Sequence, residues 1–193
     1  MKIVNRCAVS VEPRQPFIDW AKQLQPDQAL PPGAFEPGLY LLPEYKTREE
    51  AIGLLEQGYE VISLSRRSAH IAHPKLHNIE VDLSDRAATA QAVAAMVKQH
   101  EVTTVVHNAG VIRSALLSEV KLSDLDALVD LHLGCAIQMV QAALPAMRAR
   151  HFGRVVLLSS RAALGLQTRT SYSATKAGML GMARTWALEL APE

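Results

Sequence analysis

A tyrosine and a lysine near the C-terminal end have the types and spacing of an acid/base pair. Tyr172 and Lys176 lie in the segment R-T-S-Y-S-A-T-K-A-G, which predicts a helix. Residues four apart share one helical face, with Cβ atoms about 5–6 Å apart. A tyrosine, whose unperturbed pKa is about 10, needs a neighbouring cation to exchange a proton near pH 7. The pair can therefore act as a general acid/base, although such pairs also occur on solvated helix faces.

Two serines lie upstream of this pair, at a point where the predicted sheet ends. The four apolar residues Val155–Leu158 predict a buried parallel strand, and Ser159 and Ser160 follow it directly. Open α/β sheets bind their ligands at the carboxyl ends of their strands. A serine hydroxyl at this place is suited to hydrogen-bond a substrate oxygen.

The combination of S-S, Y-S-A-T-K and an upstream H-N-A-G resembles the short-chain dehydrogenase/reductase (SDR) family over residues 48–193. The resemblance implies an oxidoreductase with a Rossmann-like three-layer α/β/α fold built on a parallel sheet. It also implies hydride transfer between a nicotinamide cofactor and a carbonyl/alcohol substrate. In that reaction Tyr172 would exchange a proton with the substrate oxygen, while Lys176 would lower the tyrosine pKa and hold the nicotinamide ribose.

The resemblance leaves open which serine polarises the substrate oxygen. Counting along the strand from Gly153 indicates Ser160, whereas the family's usual distance back from Tyr172 indicates Ser159. Strand geometry is stiffer than loop length, so Ser160 is favoured. The other serine is then expected to hydrogen-bond nearby backbone.

The same resemblance implies a cofactor site along the ends of the predicted strands. An N-A-G turn would lie against the adenosine side of the cofactor, and an aspartate after the third strand would contact the adenine. Arginine after the second strand suits a 2′-phosphate, so NADP is predicted in preference to NAD, although two solvated arginines remain an alternative. The predicted cofactor residues are Ser65, Arg66, Arg67, Asp82, Leu83, Asn108, Ala109, Gly110, Tyr172 and Lys176.

The chain departs from the family pattern at three places. His132 occupies the position of a usual asparagine, where it can relay a proton or be a satisfied core residue. The sequence stops at Glu193, before the segments expected to hold the cofactor carboxamide and most of the substrate. The third departure is the stretch L-Y-L-L-P-E-Y-K-T-R-E-E, which has no glycine where the family's cofactor loop is expected. This last departure supports a rival interpretation, a non-catalytic remnant or interaction module that binds no cofactor.

Residues 1–47 differ in composition from the rest and hold seven of the ten prolines. They are predicted to form an irregular N-terminal segment with one short helix at Phe17–Leu24, followed by an SDR domain over residues 48–193 that is truncated at the C-terminus. The segments V-N-R-C-A-V-S-V-E-P-R-Q-P-F-I-D-W and L-Y-L-L-P-E-Y resemble the start of a small uncharacterised bacterial family.

Alternating helices and strands follow from Arg48. The predicted helices are Arg48–Gln57, Arg86–His100 capped by Ser84, a long helix capped by Ser123 that runs to Arg150 with a possible kink at Pro145, and the Tyr172 helix. The predicted strands are Glu60–Leu64, Ile79–Asp82, Val102–Val106 and Val155–Leu158. The family's strand order, 3-2-1-4-5, leaves a central slot, and Leu39–Leu42 is predicted to fill it in parallel, with Pro43–Thr47 as the turn into the next helix.

Composition indicates an ordinary soluble protein, and the two widely separated cysteines predict a cytoplasmic location. The net charge of +1 argues against nucleic-acid binding, and the start of the chain has no apolar run typical of a signal peptide. Cys7 and Cys135 are expected to be free thiols. The histidines His70, His73 and His77 lack ligand spacing, so no metal site is predicted. The resemblance implies a homodimer or homotetramer that pairs through the two long helices.

Overall fold

The structure is a computed structural model that describes residues 4–7, 47–68 and 71–193, with side chains for residues 51–68 and 71–193. Within these ranges one five-stranded sheet has the order β3-β2-β1-β4-β5. The strands are β1 (Val4–Cys7), β2 (Val61–Ser65), β3 (Leu76–Glu80), β4 (Thr104–His107) and β5 (Arg154–Leu157).

Four of the strands point the same way. β2 is parallel to β3 and β4 is parallel to β5, whereas β1 is antiparallel to both β2 and β4. The ends of β2 to β5 therefore lie along one side of the sheet, here the carboxyl edge, and their starts lie along the other, the amino edge.

The central position is filled by β1, so the prediction of a parallel strand from Leu39–Leu42 in this slot is wrong. Val4 pairs with Ser65 at the carboxyl edge, and Cys7 pairs with Ile62 at the amino edge. Both neighbours of the slot need hydrogen-bond partners, and a strand in either direction can supply them. Leu39–Leu42, the predicted Pro43–Thr47 turn and the Phe17–Leu24 helix lie outside the described residues, apart from Thr47 itself.

The five described α-helices lie where four helices were predicted for residues 48–193, because the predicted long helix is divided into two by a π-helical turn. They are α1 (Thr47–Glu56), α2 (Arg86–Gln99), α3 (Leu122–Val129), α4 (Cys135–Ala149) and α5 (Thr170–Leu190). Two short 3₁₀ helices span Leu117–Glu119 and Arg161–Leu164.

Two predicted caps are wrong. Asp85, and not Ser84, caps α2, because its carboxylate accepts hydrogen bonds from the Ala87 and Ala88 N–H groups. The Ser84 hydroxyl donates instead to Asp82 at 2.6 Å. Helix α3 begins after Lys121, whose side chain makes no capping bond, so Ser123 lies inside the helix.

The long helix is irregular at a different place from the predicted one. It continues through Pro145, and its departure from α-geometry is a π-helical turn at Asp130–Gly134, which joins α3 to α4. The whole stretch Leu122–Ala149 is long and apolar enough to cross a bilayer by length and composition alone. Met139 and Ala143 are fully buried against the sheet and α2, as expected of a core helix.

Buried side chains lie on both faces of the sheet. Ile62 and Leu64 belong to a cluster with residues of α2 and α4, whereas Val61 belongs to a second cluster with Ala51 and Leu55 of α1. Successive side chains of a strand point to opposite faces, so these clusters lie on opposite sides of β2. The predicted Rossmann-like three-layer α/β/α arrangement is thus confirmed, with an antiparallel central strand.

Candidate active site

Tyr172 and Lys176 lie in the first two turns of α5, beside the carboxyl edge. The Lys176 Nζ is 5.8 Å from the centre of the Tyr172 ring, and the lysine is only 3% exposed. The Nζ donates a hydrogen bond of 2.6 Å to the Leu158 carbonyl, directly after β5. Burial lowers the pKa of Lys176 to about 8, because the charged ammonium loses hydration. The side chain therefore carries its positive charge at neutral pH next to the tyrosine ring.

The π-helical turn places His132 against the same tyrosine. The two rings meet edge to face with centres 5.6 Å apart. The Val111 N–H donates to His132 Nε2 at 3.2 Å, so the ring proton is on Nδ1, which donates to Thr175 Oγ1 at 2.8 Å. Burial, and then the charge on Lys176, lowers the His132 pKa to about 3. With both nitrogens bonded and the ring neutral, this arrangement favours the core interpretation of His132 over the proton-relay one.

The turn Asn108-Ala109-Gly110 closes the other side of this cluster, directly after β4. A Cβ on Gly110 would lie 3.4 Å from His132 Nε2 and 3.6 Å from Lys176 Nζ. A Cβ there would make ordinary van der Waals contact with both side chains, so the Gly110 backbone lies next to these two polar groups. Ala109 is fully buried and anchors the turn in the core.

The two serines after β5 make different hydrogen bonds. The Ser159 hydroxyl donates to the Lys176 carbonyl at 2.8 Å, which ties the end of β5 to α5. The Ser160 hydroxyl accepts from the Ala162 N–H at 3.2 Å and caps the short 3₁₀ helix. As an acceptor there, Ser160 keeps its own proton for another partner, whereas Ser159 has committed its proton to the backbone.

The predicted adenosine-side residues line the carboxyl edge at the far end of the sheet. Arg66 and Arg67 are exposed directly after β2, where the Ser65 hydroxyl donates to the Arg67 carbonyl. The Asp82 pKa is lowered, first by the hydrogen bond from the Ser84 side chain and less by the charge of Arg66. Leu83 is buried in the core and presents no side chain to a ligand. These residues lie at the ends of β2 and β3, whereas the Asn108-Ala109-Gly110 turn, which the resemblance also assigned to the adenosine side, lies beside Lys176 and His132.

Comparison with known proteins gives the family. Residues 47–193 match the model of the short chain dehydrogenases. The chain belongs to the short-chain dehydrogenase family. This match begins where α1 begins, and it includes all the predicted catalytic and cofactor residues.

This chain is similar to other short-chain dehydrogenases over part of its length. It is 34% identical over 113 residues to the 3-oxoacyl-(acyl-carrier-protein) reductase FabG of Thermotoga maritima, covering 58% of this chain and 46% of the relative. A short-chain dehydrogenase from Streptomyces avermitilis is similar in structure with a TM-score of 0.70 and 28% identity, over 75% of this chain and 56% of that one.

A 3-oxoacyl (acyl-carrier-protein) reductase from Agrobacterium tumefaciens, solved with NADP bound, has a TM-score of 0.56 and 31% identity, over 60% of this chain and 45% of that one. This family member therefore spans about half the length of the relatives that it matches.

Sequence reasoning missed buried polar residues of this short-chain dehydrogenase, among them Thr175, which bonds His132, and His107. His107 ends β4 and is fully buried, and neither ring nitrogen hydrogen-bonds to any described residue. The Leu131 and His132 carbonyls favour its protonated form, but burial and the charge on Lys176 outweigh them and lower its pKa to about 3. The sequence did carry a signal for this residue. His107 ends a strand directly before Asn108, where a polar side chain in a buried strand is unusual.

Proposed function

We propose that this chain transfers hydride between NADP(H) and a carbonyl/alcohol substrate, with Tyr172 as the general acid/base. The observation that carries the proposal is the convergence of Lys176 with Tyr172 and Gly110 at the carboxyl edge, the same edge at which Ser160 follows β5. Family membership and an NADP-bound relative of similar fold support the same activity. A bound nicotinamide would supply the hydride; the proton chemistry belongs to the chain's own residues.

In this proposal Lys176 acts through its charge and its position. A cation near the ring favours the phenolate over the phenol. The hydrogen bond to the Leu158 carbonyl holds the ammonium in place. Ser160 is the hydrogen-bond donor to the substrate oxygen, since its proton is not used by the 3₁₀ cap. His132 supports the tyrosine ring and holds the Val111 backbone.

The described residues fit only part of the cofactor. The backbone of Gly110 lies beside Lys176, which is proposed to hold the nicotinamide ribose, and Arg66 and Arg67 offer exposed charge for a 2′-phosphate. For the pyrophosphate, the described part of the chain offers no glycine-rich turn at the end of the central strand. Because β1 is antiparallel, the chain leaves Cys7 at the amino edge, away from the site. We therefore derive no step that depends on the phosphates and expect NADP to bind weakly.

The antiparallel direction of β1 also favours the rival function, a non-catalytic module that keeps the family's sheet. The first turn of α1 carries Glu49 and Glu50, and negative charge at a helix N-terminus opposes an anion there. The rival differs from the main proposal in one measurable property, since it requires that no nicotinamide nucleotide binds.

Pairing of two or four cytoplasmic copies through the long helices is part of the proposal. Several apolar side chains on these helices are exposed in the single chain, which is consistent with a surface covered by a second copy. They are Leu122, Ile137, Leu180 and Leu188.

Calorimetric titration of the full chain with NADPH and with NADH tests the proposal. We expect NADPH to bind more weakly than the micromolar range. The double variant Arg66→Ala/Arg67→Ala is expected to lose about tenfold more affinity for NADPH than for NADH, because charge-assisted hydrogen bonds to the 2′-phosphate are lost. An equal loss for both nucleotides would contradict the preference for NADP. No binding of either one by the folded chain would establish the rival function.

A further inference from the structure

Three side chains that are distant in sequence meet at the amino edge of the sheet. Tyr172 lies beside the carboxyl edge, at the other end of the strands. Glu60 directly precedes β2, His77 lies in β3 and His100 follows α2. Glu60 Oε1 is 2.9 Å from His77 Nε2 and 2.8 Å from His100 Nδ1. The two imidazole rings are 4.4 Å apart at their centres and tilted by 48°. We name this group the Glu60 cluster.

The donor atoms of the Glu60 cluster suit a divalent transition metal. Two imidazole nitrogens and a carboxylate oxygen lie within 4.8 Å of one another. Zinc binds such atoms at about 2.0–2.2 Å in a tetrahedron, which requires them to be about 3.3–3.5 Å apart. The two contacts to Glu60 Oε1 would therefore open by about half an ångström, a shift within reach of a glutamate side chain that is 55% exposed.

The backbone under the cluster is well ordered by hydrogen bonds. His77 lies in the parallel pairing of β3 with β2, opposite Ile62. The His100 N–H donates to the Met96 carbonyl and ends α2. Ligands on such rigid elements lose little freedom when an ion binds, which favours affinity.

The position between the histidines is also accessible. His77 and His100 both line a surface groove of about 470 Å³ between β3 and α2, with Leu76, Ile79 and Met96 among its other residues. An ion held by three protein ligands would thus keep an open coordination position for water or a small anion, as catalytic zinc sites do.

From this geometry we propose that Glu60, His77 and His100 form a binding site for Zn²⁺ or a similar divalent transition metal. Imidazole and carboxylate ligands favour such ions over Mg²⁺ and Ca²⁺, which take oxygen ligands. The site is separate from the proposed oxidoreductase function and does not depend on it.

Metal binding by the full chain tests this site directly. Titration with Co²⁺, followed by its visible absorption, and with Zn²⁺ by calorimetry should show one equivalent bound. Loss of partners that only orient a ligand already costs about 10–100-fold in affinity, so His77→Ala and His100→Ala should each cost at least tenfold. His73→Ala is the matched control and should leave the affinity unchanged, because His73 lies outside the cluster and accepts a hydrogen bond from the Lys75 N–H.

The opposite results would overturn the site. Unchanged affinity in His77→Ala or His100→Ala, a loss of affinity in His73→Ala equal to theirs, or no saturable binding by the wild type would each do so. If an alanine variant does not fold, Glu60→Gln decides, since it removes the charged ligand but keeps the side-chain shape. It should lower the affinity at least tenfold and reduce the rise in melting temperature that Zn²⁺ causes in the wild type.

Discussion

The two halves of the carboxyl edge are built differently. At the ends of β4 and β5 several polar groups are buried and, apart from His107, hydrogen-bonded: Lys176 to the Leu158 carbonyl, and His132 to Thr175 and the Val111 backbone. At the ends of β2 and β3 the charged groups Arg66, Arg67 and Asp82 are exposed.

Under the proposed function, this difference separates the proton chemistry from the binding of the dinucleotide. The proposed proton chemistry needs only the spacing within α5 and the connection after β5, both of which this chain has. Binding of the pyrophosphate would need a turn at the end of a parallel central strand, and here that strand runs the other way. We therefore expect an ordered acid/base site beside a weak phosphate site.

The largest effect is expected from removing the transferable proton. With NADPH and an acetoacetyl thioester, chosen because relatives are 3-oxoacyl reductases, Tyr172→Phe should lower kcat by about 10²–10⁴, while the ring packing stays intact. The measurement is NADPH oxidation at saturating substrate. Retention of more than about a tenth of the wild-type kcat would show that the tyrosine is not the acid/base.

The two serines after β5 offer a sharper test of which hydroxyl bonds the substrate oxygen. Ser160→Ala should lower kcat by about 10²–10³, as expected for loss of one donor to a developing oxyanion. Ser159→Ala should cost much less in kcat, because its hydroxyl bonds the Lys176 carbonyl and does not face a substrate. Steady-state kinetics of the two variants decides the assignment, and the reverse order would mean that the distance from Tyr172 was the better guide.

The buried histidines at the ends of β4 and β5 should also make the stability of the fold depend on pH. His107 and His132 have pKa values of about 3 in the folded chain and about 6.5 when unfolded, so the unfolded state binds more protons between these values. Stability is thus full above pH 6.5 and falls as the pH decreases toward 3, by at most about 3 kcal/mol for each histidine at pH 4.

Urea unfolding at pH 7 and pH 4 measures this effect. His132→Asn should lose less stability between the two pH values than the wild type, whereas His151→Gln, which changes an exposed histidine, should match the wild type. Equal pH dependence in all three proteins would mean that His132 is not held neutral by its burial.

Much of the architecture could be predicted from local sequence. Helix α1 was predicted as Arg48–Gln57 and found at Thr47–Glu56, because its apolar residues recur with helical spacing before Gly58, whose φ of +88° suits the end of a helix. The position of Tyr172 and Lys176 on one helix was also predicted. These features depend on neighbouring residues, and a sequence pattern reports them directly. The strand order, by contrast, was implied by the family resemblance.

Other features depend on which distant groups meet, and only the tertiary structure decided them. The central slot was filled by Val4–Cys7, because the unpaired N–H and C=O groups of β2 and β4 accept any extended segment that reaches them. His132 became a bonded neutral residue because folding brings it to Thr175 and Val111. Glu60, His77 and His100 carry no local pattern, and only the pairing of β2 with β3 and the end of α2 place them together.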